Sequence, residues 1–173
     1  MRRVVVTGLG IVSSIGSDAA EVTASLREAR SGIQFSPDFA EYGFRCQVWG
    51  KPALDPTDLV DRRAMRFLSQ GGAWNHVAMK QAIADSGLEE KDYARNERTG
   101  IIMGSGGPST RTIVEAADIT RKNVSPKRIG PFAVPKAMSS TASATLATWF
   151  QIHGVNYSIS SACSTSAHCI GTA

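Results

Sequence analysis

The 173-residue chain has no run of eighteen apolar residues, so no stretch is long enough to cross a bilayer as a helix. Its three cysteines, Cys46, Cys163 and Cys169, are odd in number and unevenly spread. That does not suggest a disulfide framework, and a reducing, cytoplasmic setting fits best. Histidine is equally scarce: of His76, His153 and His168, the first two carry no local mark of catalysis and read as structural. Nucleotide motifs are missing too. Gly8-Leu9-Gly10-Ile11-Val12-Ser13 has Ser where a dinucleotide turn needs its third glycine. Gly104-Ser105-Gly106-Gly107-Pro108-Ser109 lacks both that glycine and the Gly-Lys-Ser/Thr of a P-loop. Both read as turns that let backbone approach closely. The start, Met1-Arg2-Arg3-Val4-Val5-Val6, imitates an export signal, but Thr7-Gly8-Leu9-Gly10 interrupts it and no small-x-small cleavage site follows. Repeats, low-complexity tracts and clear linkers are absent as well.

What remains is ordinary globular material, 42% hydrophobic and long enough for one domain with a sizeable core. The net charge is +4, with Arg62, Arg63 and Arg66 in one cluster and Arg121, Lys122, Lys127 and Arg128 in another. These fit two solvated faces, or a surface for an acidic partner, either nucleic acid or protein.

Arg3 to Thr7 is short and β-branched, which predicts a buried strand. Asp18 with Glu21 predicts a capping box opening a helix whose apolar face carries Val22, Leu26 and Ala29 and which stops at Ser31-Gly32. Residues 33–58 are punctuated by proline and glycine and predict irregular structure with a short strand at Phe44 to Trp49. A long helix is expected from Asp61 to Ser86, with Gly71-Gly72 as a weak point and Gly87 as its stop. Thr99 to Met103 predicts a second buried strand, followed by helices over Arg111 to Arg121 and Ala137 to Phe150. Strands alternating with helices predict an α/β fold with a largely parallel or mixed sheet.

The chemistry concentrates in "SSACSTSAHCIG", residues 160–171, where an alternating strand pattern gives way to a helix. Cys163 sits on that bend. At a helix's first turn, backbone N–H groups and the positive dipole end favour thiolate over thiol, and the same N–H groups bind a developing oxyanion. Small neighbours, Ser161, Ala162, Ser164 and Thr165, leave room for an acyl group. The expected geometry is similar in principle to the nucleophile elbow of hydrolases, although the G-x-S-x-G residues are absent. The spacing fits equally well a structural cysteine in a tight Ala/Ser layer. Metal ligation does not fit: at about 100° per residue, His168 and Cys169 lie about 140° and 120° from Cys163 on opposite sides of the helix. The same rotation makes His168 a poor base for Cys163, so the usual histidine help is missing.

The stretch from Gly154 through Cys163 to Gly171 closely resembles the active-site segment of the elongating bacterial β-ketoacyl-acyl carrier protein synthases of type I, within the thiolase-like superfamily. "RRVVVTGLGIVSSIG", "SLREARSGI", "QAIADSGL" and "GPFAVPKAMSS" extend the resemblance over essentially the whole chain. Type II elongating synthases and polyketide synthases look less similar around the cysteine, and initiating synthases less still. The resemblance implies a layered α-β-α-β-α fold with Cys163 as catalytic nucleophile. This cysteine would take an acyl chain from acyl carrier protein as a thioester. Decarboxylation of malonyl-acyl carrier protein would then supply an enolate for a Claisen condensation that adds two carbons. The Cys163 N–H matches one of the family's two oxyanion donors. No redox or metal cofactor is implied, and neither nucleic acid nor membrane is an expected partner.

The same resemblance implies carrier-protein docking at Arg62, Arg63, Arg66, Lys127 and Arg128, since the carrier is acidic. It implies a homodimer, and substrate-binding contacts at Gly107 and Met138 along an acyl channel. The family's two catalytic histidines, its lysine, its gating loop and its second oxyanion donor lie downstream of the cysteine, whereas the sequence ends ten residues after Cys163. Residues 1–173 are therefore expected to be the N-terminal portion of a thiolase-like condensing-enzyme domain, cut inside a helix, and not to elongate chains alone. Two rival readings are a non-catalytic partner subunit of the same fold, in which the cysteine is replaced, and a thiol hydrolase, which needs a histidine near Cys163.

Overall fold

In the computed structural model, which describes residues 3–173, the chain forms α1 (Ala19–Arg27), β1 (Gln34–Phe35), α2 (Pro37–Glu41), β2 (Val48–Trp49), α3 (Arg62–Met65), α4 (Gln70–Ser86) and α5 (Glu90–Tyr93). Then come β3 (Ile101–Gly104), α6 (Thr110–Asn123), α7 (Ala133–Ala137), α8 (Thr141–Trp149), β4 (Asn156–Ile159) and α9 (Thr165–Thr172). Single 3-10 turns occupy Pro56–Asp58, Pro126–Arg128 and Ala162–Ser164. Met1 and Arg2, the head of the export-like start, lie outside the described residues. Two compact units result, Met1–Asp55 with Val77–Gly87 and Pro56–His76 with Leu88–Ala173.

In the first unit, the Asp18 side chain accepts the Glu21 N–H at 2.8 Å, and the Glu21 carboxylate accepts the Ser17 N–H at 2.7 Å. The capping box therefore closes one residue ahead of the cap. Val22 is buried as expected, but α1 ends at Arg27, and Leu26 is exposed. Ala29 lies past the end at φ 51°, where its N–H reaches the Leu26 carbonyl and the Arg30 N–H reaches the Ser25 carbonyl. That paired closure, not Ser31-Gly32, terminates the helix.

The buried strand expected at Arg3 to Thr7 is not formed: Val4 and Val6 are each 87% exposed and no ladder includes them. A strand exists only against a partner, and the described residues offer this segment none. Just beyond it, Leu9 and Ile11 donate their N–H groups to Asp85 Oδ2 (2.8 Å) and Gln81 Oε1 (2.9 Å) on α4 instead of to a neighbouring strand. Gly10 is required there, because a Cβ would stand 2.8 Å from the Ala82 nitrogen and closer still to the Ala78 carbonyl. The expectation of close backbone approach holds at this turn. Of the strand expected at Phe44 to Trp49, only β2 pairs, antiparallel to β1 through Gln34↔Trp49 and Phe35↔Val48. Phe39 stacks beside it on Phe44 and Trp49, with ring centroids 5.2 and 5.8 Å away.

In the second unit, the helix expected from Asp61 begins as α3 and breaks before α4. Ser69 Oγ accepts the Gly72 N–H at 3.3 Å, so a fresh cap restarts the helix and places Gly71-Gly72 in a first turn, where glycine costs little. Residues of α4 fall in both units, and Gly87 at φ 71° ends it as expected. The helix expected at Ala137 to Phe150 is likewise split into α7 and α8, because Met138 turns extended at ψ 135°. The Thr141 hydroxyl donates back to the Pro135 carbonyl across that break. Expected elements at Thr99 to Met103 and Arg111 to Arg121 appear as β3 and α6, the latter capped by Ser109.

β3 and β4 pair in parallel from Ile101↔Asn156 to Gly104↔Ile159. Ser158, opposite Met103, bonds Ser143 of α8 at 2.6 Å, whereas Gly104, one step along, abuts Thr165 and Cys169 of α9. Strand side chains alternate between faces, so α8 and α9 cover opposite faces of the pair. The class is α/β as expected. In place of one mixed sheet, the described residues form one antiparallel and one parallel two-stranded ladder.

Ala142, Leu146 and Ala147 turn the buried side of α8 toward this pair. Leu146 is wholly buried, so Leu146→Ala is expected to lower unfolding free energy by about 2–5 kcal/mol. A denaturant titration checks this: the midpoint falls while the slope stays constant.

Candidate functional site

β4 ends at Ile159, and the chain turns through Ala162–Ser164 into α9, so Cys163 stands on a 3-10 turn immediately ahead of the α-helix. The expected first-turn position is corrected by that one tight turn. Cys163 is exposed and its thiol free, which sets aside the alternative of a buried structural cysteine among the described residues. Its N–H has no hydrogen-bond partner among the described residues. An exposed thiol and an unclaimed donor therefore belong to one residue, a pairing that acyl transfer can use.

The turn is held under strain. Ala162, directly before the nucleophile, has φ 50°, a left-handed conformation that costs an L-residue about 1–2 kcal/mol. Thr165, 4% exposed, opposes that cost. Its Oγ1 accepts the Ser161 N–H at 2.9 Å and donates to the Ala162 carbonyl at 2.8 Å. The Ser164 N–H closes the turn onto the Ser161 carbonyl at 3.1 Å. Ser161 Oγ in turn lies 2.7 Å from His168 Nδ1. The ring of His168, expected to be a poor base for Cys163, is engaged by Ser161 through Nδ1. That partnership was missed from sequence, although Thr165 and His168, three apart, share one helix face that leans back toward the helix start.

Glycines bring a second loop against the turn. A Cβ on Gly104 would stand 2.9 Å from Cys169 Sγ and nearer still to Thr165, and one on Gly106 would stand 3.2 Å from the Ala162 carbonyl. The half-buried Gly107 follows in this loop, its carbonyl accepting from Ser105 Oγ at 2.7 Å. The Ser109 N–H then donates to the Ala137 carbonyl at 3.0 Å, tying the loop to the residue before Met138. Met138 itself lines a separate apolar cavity of about 470 Å³ between α3 and α8, with Arg63, Phe67, Thr145 and Trp149. Gly107 does not line that cavity, so the two expected substrate contacts sit on linked segments and not in one chamber.

All five expected docking residues are exposed. Arg62 and Arg63 lie on α3 with Arg66 just beyond, and Lys127 and Arg128 lie on the Pro126–Arg128 turn. The Phe67 and Phe132 rings meet edge to face at 5.1 Å, which joins the segments carrying these two clusters. Among the described residues, none of the five has a carboxylate within ion-pair distance. His76 is buried beside Phe150, with ring centroids 5.2 Å apart, whereas His153 is exposed.

The sequence and the fold both have relatives among known proteins. The chain is 56% identical over its whole length to 3-oxoacyl-(acyl-carrier-protein) synthase 1 of Escherichia coli (strain K12), of which it spans 43%. Among solved structures, a β-ketoacyl synthase from Burkholderia phymatum superposes on all of it with a TM-score of 0.84 at 22% identity, over 43% of that chain. A ketosynthase described in complex with its type II polyketide synthase acyl-carrier protein matches 98% of it with a TM-score of 0.68 at 16% identity, over 44% of that chain. These neighbours share the fold of thiolase-like ketosynthases. A family profile described as the N-terminal domain of β-ketoacyl synthase matches residues 1–173, and the chain belongs to that family.

Proposed function

We propose that this chain is the N-terminal portion of a fatty-acid-elongating β-ketoacyl-acyl carrier protein synthase, and that Cys163 is its acyl-accepting nucleophile. The observation that carries the proposal is the strained turn presenting an exposed thiol together with its own unclaimed N–H. The share of its relatives' length that the chain spans, 43%, supports the reading as a portion. The longer enzyme would work in the cytoplasm as a homodimer.

In the first half-reaction, the Cys163 thiolate attacks the carbonyl of an acyl thioester on carrier protein. Negative charge gathers on the carbonyl oxygen, where the Cys163 N–H donates to it. Collapse of the tetrahedral intermediate expels the carrier's thiolate and leaves the acyl group on Sγ. In the second, malonyl-carrier protein loses carbon dioxide, and the enolate carbon attacks the acyl-Cys163 carbonyl. The carbon–sulfur bond breaks, Cys163 returns as thiolate, and a β-ketoacyl thioester two carbons longer leaves on the carrier. The family's downstream histidines and lysine would serve this second half-reaction. Gly107, on the loop against the turn, and Met138, in the apolar cavity, would contact the acyl chain.

Docking follows from charge. Arg62, Arg63, Arg66, Lys127 and Arg128 form an exposed basic face joined through Phe67 and Phe132, which suits an acidic carrier protein. No described helix is long and apolar enough to cross a membrane.

The full-length protein incubated with acyl-carrier protein is expected to gain one acyl mass on the peptide containing Cys163. It should release carbon dioxide only when malonyl-carrier protein is added, and Cys163→Ala should lose the acyl mass entirely. Acylation without carbon–carbon bond formation would favour the hydrolase reading. An unacylated Cys163 in folded protein would favour the non-catalytic partner reading. For docking, Arg66→Glu with Lys127→Glu is expected to raise KM for carrier protein about five- to tenfold with kcat nearly unchanged. That gap should narrow as salt is raised, because exposed charges are screened. An unchanged KM at low salt places the carrier elsewhere.

A further inference from the structure

We propose that His168 is a positioning residue for the nucleophile: its imidazole Nδ1 accepts a hydrogen bond from the Ser161 hydroxyl and thereby holds the 161–164 turn in its strained shape. This rests on the reading of Cys163 as the acyl acceptor and adds a role for a histidine that is 2.7 Å from Ser161 Oγ.

Ser161 is the residue on which the turn hinges. Its N–H is held by Thr165 Oγ1, its carbonyl by the Ser164 N–H and its hydroxyl by His168, so each of its polar groups is anchored to α9 or to the residue before it. Ala162 follows at φ 50°, and an alanine has no side chain with which to hold that conformation. If Ser161 rotates, Ala162 relaxes and the directions of Cys163 Sγ and N–H diverge. Both must address one carbonyl, so small misplacement is costly in rate. The Thr165 bond fixes the backbone of Ser161 but leaves its side chain free. The His168 bond removes that freedom and extends the clamp to the next turn of α9, because Thr165 and His168 lie on one face.

The acceptor's position makes the proposal specific. An Asn side chain at residue 168 places its carbonyl oxygen near the Nδ1 position, whereas a Gln side chain reaches toward Nε2. In the full-length enzyme, His168→Ala is expected to slow single-turnover acylation of Cys163 about tenfold, the rate equivalent of one lost hydrogen bond. Affinity for the acyl-carrier protein should be unchanged. Iodoacetamide alkylation of Cys163 should not slow as much, since alkylation uses the sulfur but not the N–H. Ser161→Ala should match His168→Ala, and the double variant should be no slower than either single one. His168→Asn should recover to within about threefold of the parent rate, and His168→Gln should not.

The proposal is overturned if His168→Ala acylates within twofold of the parent enzyme, if Gln restores as well as Asn, or if the Ser161 and His168 effects multiply. Should His168→Ala fail to fold, Ser161→Ala removes a single oxygen and the Asn and Gln variants keep the side-chain bulk, so the same comparisons decide it. A parent enzyme that folds but never acylates Cys163 overturns the proposed function instead.

Discussion

The approach of α9 to β3 at Gly104 is the constraint that sets the site. A side chain at residue 104 would displace Thr165 and Cys169, and Thr165 is the group that ties the Ser161 N–H to the Ala162 carbonyl. With hydrogen there, α9 drops onto the strand pair and the 161–164 turn is caught between helix and strand end. Gly106 repeats the condition one step outward, against the Ala162 carbonyl. Two of the glycines in a loop that resembles a nucleotide-binding turn therefore serve packing. Gly104 lets α9 side chains and the Ile159 carbonyl close in, and Gly106 lets the Ala162 backbone do so.

Strain and its support are of similar size. The left-handed Ala162 costs about 1–2 kcal/mol, and a buried hydrogen bond contributes about 0.5–1.5 kcal/mol net. Two bonds through Thr165 Oγ1 are thus enough to hold the turn, but with little margin. A third anchor, on the Ser161 hydroxyl, widens that margin. Hydroxyls supply donors and acceptors without the bulk that would block a thioester from the sulfur.

Features carried by neighbours in sequence were the legible ones. The strand-bend-helix around Cys163, the Gly87 stop and the Asp18 cap depend on adjacent residues, and each stands close to where its pattern indicates. Helix breaks were less legible, because apolar periodicity continues across Ser69 and across Met138 while the backbone does not. A serine cap and an extended methionine decide those breaks, and both are compatible with an unbroken stripe. Arg3 to Thr7 shows the limit of propensity: three valines suit a strand, yet pairing comes from elsewhere in space and not from the valines. The Ser161–His168 contact stayed hidden for another reason. Rotation about the helix axis was measured from Cys163, whereas the residue that His168 meets precedes the helix altogether.

The basic face and the nucleophile turn pose different physical demands, and the fold meets them with different materials. Docking as proposed would need reach and long-range attraction, which exposed arginines and lysines on short, capped segments can supply, and the Phe67–Phe132 contact joins the segments that carry the two clusters. Chemistry needs sub-ångström placement, which flexible cations do not supply. It is met instead by glycine, alanine, serine and threonine locked between a parallel strand pair and a helix. The division fits the composition of the segment: if a thiol and an N–H are to share one carbonyl, small residues such as Thr165 and Ser161 hold the geometry, and the charged residues lie on other segments.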